Sequence, residues 1–69
     1  MNKNALCAVM VGSGETQDDL AKIIGISLSR LNAKINGWNG AMFTQREIIV
    51  IKKHYKLTAE QVDNIFFAK

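Results

Sequence analysis

TQDDLAKIIGISLSRLNAKING, residues 16 to 37, reads as two short helices meeting at a sharp turn. Thr16 is placed to cap the first of them, and Leu20, Ala21 and Ile24 share one stripe at helical offsets. Gly25 supplies the backbone freedom for a tight bend, Ile26 fills the bend, and Ser27 caps the second helix. That helix buries Leu31 and Ile35, four residues apart, and closes at Asn36-Gly37, where glycine suits a left-handed helix end. Helix, glycine turn and a second helix with a polar outer face is the layout of a DNA-reading helix-turn-helix.

On the N-terminal side, residues 4 to 12 form a first helix with Leu6, Val9 and Met10 on one stripe. The segment has a lysine followed by an apolar run, as a signal peptide does, but it is short and a polar helical region follows at once. It stops at Gly12-Ser13-Gly14, and Thr16 to Asp19 is a variant capping box. On the C-terminal side, WNGAMF is an uncharged loop, after which Thr44-Gln45-Arg46-Glu47 is a full capping box. The helix it opens runs to about His54 with Ile48, Ile51 and Tyr55 on one face. Ile48 to Ile51 is β-branched enough for a strand, and the capping box before it decides for helix. Leu57 covers the connection, and Thr58 opens a last helix to about Ala68 with Val62, Ile65 and Phe66 as its stripe. The expectation is an all-α, compact five-helix bundle forming one domain over residues 1 to 69.

The bulk numbers agree with a small globule. The 69 residues allow one modest core, and 48% of them are hydrophobic. A single cysteine excludes an internal disulfide, and no Cys/His spacing suits a structural zinc. No apolar run approaches the roughly 18 residues that span a membrane, so a cytoplasmic address is expected. The formal charge of +3 is compatible with a polyanionic partner without singling one out.

The joint order of Thr16-Gln17, Leu20-Ala21, Gly25-Ile26-Ser27, Leu31, Ile35-Asn36-Gly37, Phe43-Thr44 and Glu47-Ile48 resembles the phage and prophage Cro and repressor family. The resemblance covers almost the whole chain and implies a lambda-repressor-like DNA-binding domain in a bacterial host cell. It implies a sequence-specific transcriptional regulator whose third helix, residues 28 to 36, lies in the major groove of double-stranded operator DNA. By the same resemblance Gln17 holds a backbone phosphate, and Leu28, Ser29, Asn32 and Ala33 occupy the early positions that meet base edges. Helical geometry gives a compatible answer. With Leu31 and Ile35 inward, the outward face is Ser29, Asn32, Ala33 and Asn36, flanked by Arg30 and Lys34.

Chemically, that face is thin. Asn32 can pair with adenine through two hydrogen bonds and Ser29 can bond several bases, whereas Leu28 and Ala33 offer only apolar contact to a thymine methyl. The loop after the reading helix, where the family often carries basic residues, is Trp38-Asn39-Gly40-Ala41. Arg30 and Lys34 have two readings, as solvated charges or as phosphate contacts. Trp38 has three: cover for the end of the third helix, contact with the sugar-phosphate backbone, or anchor for a protein partner. Lys52, Lys53 and Lys56 read as a solvated face, and His54 as a helix-end residue favoured by the dipole.

Val50 and Phe67 are surplus to one amphipathic stripe, Phe67 lying about 140° round from Val62. Either they are buried in so small a domain, or with Phe66 and Trp38 they form an interface for another chain. The resemblance implies a homodimer; a different option, suggested by the thin reading face with Trp38, Val50 and Phe67, is a heteromer in which the chain modulates a partner phage repressor as antirepressor or co-repressor. Enzyme chemistry has poor support. His54 and Cys7 stand far apart, Asp18 and Asp19 point to different faces, and neither a phosphate loop nor a metal-ligand spacing occurs. Cys7 reads as a small hydrophobe. No cofactor, metal or small-molecule substrate is expected.

Overall fold

A computed structural model describes residues 1–67 as five α-helices joined by short connections, with no strand among the described residues. The helices are α1 (Lys3–Gly12), α2 (Gln17–Ile24), α3 (Leu28–Asn36), α4 (Gln45–Tyr55) and α5 (Ala59–Phe66). A single 3-10 turn, Trp38–Gly40, lies between α3 and α4. Each helix starts where a short polar side chain satisfies an orphan amide. Asn2, Thr16, Ser27, Thr44 and Thr58 all accept from the backbone three residues on. At Thr16, Thr44 and Thr58 the bond is reciprocated by Asp19, Glu47 and Gln61, completing capping boxes. Such local closure marks the helix boundaries. The expected spans therefore hold to within a residue or two, except that α5 ends at Phe66, short of the expected Ala68, which lies outside the described residues.

Every helix contributes one fully buried large side chain: Leu6, Leu20, Leu31, Ile51 and Ile65. Met10, Ala21, Ile24, Ile35, Leu57 and Val62 complete the buried set, with Val9, Ile26 and Ile48 among the half-buried residues against it. Each of these helices is too short to persist alone in water, so its stability comes from this shared core. The radius of gyration is 10.9 Å, close to the roughly 11 Å of a compact chain of this length.

Polar ties fasten the periphery. The Asn2 amide donates to the Ile65 carbonyl at 2.6 Å, holding the start of α1 on α5. His54 Nε2 meets Glu15 Oε1 at 2.9 Å, so α4 is fastened to the connection between α1 and α2. His54 is thus more than a residue favoured by a helix dipole. Its neighbour Tyr55 has a buried hydroxyl without a hydrogen-bond partner among the described residues. Burial, with the Glu15 charge close by, pushes that phenol up to about 12.

Of the helix ends, two use glycine in the left-handed region: Gly25 at φ 87° and Gly37 at φ 69°. The end of α4 instead uses Lys56, exposed and held at φ 55°. A side chain there is strained by roughly 1–2 kcal/mol, part of which glycine's greater unfolded-state entropy offsets. Lys56→Gly should therefore stabilise the fold by about 0.5–1 kcal/mol, read as a higher urea midpoint with an unchanged slope.

Candidate nucleic-acid interface

The site expected from the sequence lies on α2, α3 and the turn between them. The Gly25 and Ile26 amides both donate to the Ala21 carbonyl, at 2.8 and 3.0 Å, and turn the chain sharply. Ser27 Oγ then accepts from the Arg30 amide at 3.1 Å and starts α3. At the head of α2, Thr16 Oγ1 and the Asp19 carboxylate close their capping box, leaving Gln17 as the half-buried first helical residue. The hydrogen bond from the Thr16 amide holds the Asp19 carboxyl below its ordinary value.

Leu31 and Ile35 face the core, as expected, and the remaining α3 positions differ in exposure. Leu28, Ser29, Arg30 and Asn36 are exposed, while Asn32 and Ala33 are half-buried. Asn36 is already engaged. Its Nδ2 donates to the Asn32 carbonyl at 2.8 Å, and its Oδ1 accepts from Lys3 Nζ at 2.9 Å. The exposed and unengaged polar side chains of α3 are therefore Ser29 and Arg30, whereas Asn32 and Ala33, expected on the outward face, are half-buried. Lys22, one turn into α2, pairs on the surface with Asp18 at 3.2 Å.

Lys34 is where the structure corrects the sequence reading. Expected as a solvent-side flank of the outward face, it turns inward, its side chain only 9% exposed, and its Nζ meets Glu47 Oε1 at 2.6 Å. The same oxygen accepts from the Thr44 amide at 2.8 Å. Burial alone would raise the Glu47 carboxyl. The hydrogen bonds from Lys34 and the Thr44 amide outweigh it and hold the group below its ordinary range. Glu47 was legible as a capping-box residue, and its second role was not. Nothing in the sequence pairs a lysine on one helix with an acid thirteen residues on.

Beyond the end of α3, Trp38 is 57% exposed in the 3-10 turn. Asn39, at φ 54°, and Gly40, at φ 74°, bend the chain back. Among the partner-interface candidates, Phe66 is half-buried and meets the Phe43 ring edge-on at 5.4 Å, Val50 is half-buried, and Phe67 is 61% exposed. Phe66 and Phe67 line an open groove of about 300 Å³ with Ile35, Met42, Phe43 and Ile48. Met42, which the sequence reading had not singled out, is 76% exposed at this groove. An exposed methionine beside aromatic rings had no helical periodicity to reveal it, because it sits in the loop.

Over the described residues the fold is an all-α globule of five helices. Among the described residues no helix is long and apolar enough to cross a membrane, and no group of three or more His, Cys, Asp or Glu is placed to hold a metal ion. Neither protein-family models, nor curated proteins, nor solved structures give a match to this chain.

Proposed function

We propose that this chain is a sequence-specific DNA-binding transcriptional regulator of the phage Cro and repressor type, acting in the cytoplasm of a bacterial host. In this reading α2, the Gly25–Ser27 turn and α3 form a helix-turn-helix of lambda-repressor-like kind, and α3 enters the major groove of an operator. The observation that carries the reading is the seating of α3. Leu31 and Ile35 are buried while Ser29 and Arg30 are exposed and Asn32 half-buried, so the first turns of the helix offer hydrogen-bonding groups outward. Gln17 fixes register on a phosphate, Arg30 neutralises another, and Ser29 and Asn32 read base edges. Leu28 and Ala33 supply apolar contact, and Trp38 lies against the sugar-phosphate backbone.

The test is a titration against DNA from beside the chain's own gene, at two salt concentrations, with a scrambled duplex as control. Tighter binding to the native sequence is expected, and Asn32→Ala should cost roughly 1–3 kcal/mol while relaxing specificity. Absence of binding at low salt, or equal affinity for both duplexes, rejects the reading.

A second reading is favoured by the exposed Met42 and Phe67 at the apolar groove and by the exposed Trp38. Here the chain modulates repression by gripping a phage repressor, and the groove is a protein interface; a homodimer on a twofold operator uses the same surface. Co-purification with the repressor encoded nearby supports this. Recovery of the chain always alone, with repression indifferent to Trp38→Ala and Phe67→Ala, removes its basis.

A further inference from the structure

We propose that Glu47 is the positioning residue of α3: through Lys34 it sets the rotation of that helix about its own axis, so Lys34 serves geometry and does not contact phosphate. The proposal rests on the reading of α3 as the helix that meets DNA.

Three observations combine. First, Glu47 is itself held. Its Oε1 accepts from the Thr44 amide at 2.8 Å and its own amide donates to Thr44 Oγ1 at 3.2 Å, so the carboxylate is a rigid post on the first turn of α4. Second, the bond it makes to Lys34 is sheltered, with side chains 9% and 7% exposed, against 75% and 58% for the surface pair Lys22–Asp18. Sheltered, charge-assisted bonds keep their geometry where exposed ones are screened and mobile. Third, α3 lies close to α2 and to the 3-10 turn, while its backbone makes little close approach to α4. Leu31 and Ile35 are buried in the shared core, and apolar burial is non-directional, so by itself it does not fix the roll of the helix. Two side-chain bonds tie α3 to other helices: Lys3 Nζ to Asn36 Oδ1 at 2.9 Å is exposed, whereas Lys34–Glu47 is sheltered and is the firmer directional restraint on that roll.

The consequence for the reading face follows from helical angles. Taking the direction between Leu31 and Ile35 as inward, Lys34 lies about 80° to one side and Asn32 about 80° to the other. A roll that carries Lys34 outward therefore carries Asn32 inward, toward burial. Side-chain tips stand about 5–6 Å from a helix axis, so a roll of about 10° displaces them by about 1 Å. That exceeds the tolerance of a two-bond contact to a base edge.

The experiment uses the paired substitution Lys34→Met with Glu47→Gln, which leaves no uncompensated charge and keeps an oxygen for the Thr44 amide. Affinities for the operator and for a scrambled duplex are measured across a salt series, and amide hydrogen exchange is followed in the free protein. The ratio of operator to scrambled affinity should fall about tenfold with the salt slope unchanged, and amides from Leu31 to Asn36 should lose protection relative to α2 and α5. A salt slope smaller by about one, with both affinities reduced equally, would make Lys34 a phosphate contact and overturn the proposal. So would an unchanged ratio together with unchanged protection. Glu47→Gln alone gives a second discrimination. Release of a phosphate-binding Lys34 from its acid would tighten both duplexes alike, whereas loss of positioning lowers the ratio. If the wild-type chain binds no DNA, the regulator reading fails on its own. The exchange comparison then decides the restraint: selective loss on α3 upholds it, and uniform or absent change overturns it.

Discussion

Leu31→Ala is expected to destabilise the fold by about 3 kcal/mol, within the roughly 2–5 kcal/mol that truncating a buried leucine costs. Leu31 is fully buried near the middle of α3, where it seats that helix in the shared core. Its loss removes the transfer free energy of the side chain and leaves a void that neighbours fixed by their own helices cannot fill. A chain of this length has a total stability of about 3–10 kcal/mol, so one truncation consumes a large share of it. Urea unfolding followed by circular dichroism should show the midpoint falling by about 2–3 M at constant slope. Leu28→Ala, on the same helix but 41% exposed, is the control and should stay within about 0.5 kcal/mol. Equal effects at the two positions would mean that α3 is not seated as described.

The second large effect is at the buried ion pair. Glu47→Ala removes the carboxylate and strands the Lys34 ammonium in a site where its side chain is 9% exposed. Breaking such a pair from one side costs about 3–5 kcal/mol, much of it the penalty of an uncompensated charge. Replacing both partners, Lys34→Met with Glu47→Leu, should recover most of that loss and leave a deficit of about 1 kcal/mol for the missing capping hydrogen bond. The pair also has a pH signature. Because the Glu47 carboxyl is held below its ordinary value of 4.5 in the folded protein, the folded state binds the proton less readily than the unfolded one. The stabilisation is therefore fully present above that ordinary value and is lost as pH falls through the lower, folded one. The wild-type urea midpoint should drop on acidification through this window, and Glu47→Gln should drop less. Asp19, held low by the Thr16 amide, titrates in the same direction in both proteins and so cancels from the comparison. Equal acid sensitivity of the two proteins would show that Glu47 contributes none of it.

What could be read in advance was what the chain encodes locally. Thr16, Ser27, Thr44 and Thr58 each start a helix, because a cap needs only the three residues that follow it. Gly25 and Gly37 end helices because their left-handed backbone is cheap only without a side chain. The core residues Leu6, Leu20, Leu31, Ile51 and Ile65 were legible for the same kind of reason, since helical spacing alone puts each on the apolar stripe of its own helix. These signals are short-range and repeat across the chain, so the all-helical fold was in the sequence.

The site was legible only in outline. Helical angles placed Leu31 and Ile35 inward and Ser29, Asn32, Ala33 and Asn36 outward, flanked by Arg30 and Lys34. The structure agrees at Leu31, Ile35, Ser29 and Asn36, whereas Asn32 and Ala33 are half-buried and the flanking Arg30 is exposed. The angles did not separate the two flanks of α3, because an angle says where a side chain leaves its helix and not what waits there. Lys34 and Asn32 stand at similar angles from the inward direction, yet Lys34 finds Glu47 on α4 while Asn32 remains half-exposed. Trp38 and Met42 were not decided for a related reason: loop residues carry no periodicity, and for them, as for Phe67 off the apolar stripe of its helix, burial depends on which other segments arrive beside them. Residues 16 to 37 and the caps around them thus determined five helices and their inward faces from local hydrogen bonding and spacing. Which charge is sheltered, which is free, and which apolar side chains remain uncovered was decided only when the helices met, since each depends on partners far away along the chain.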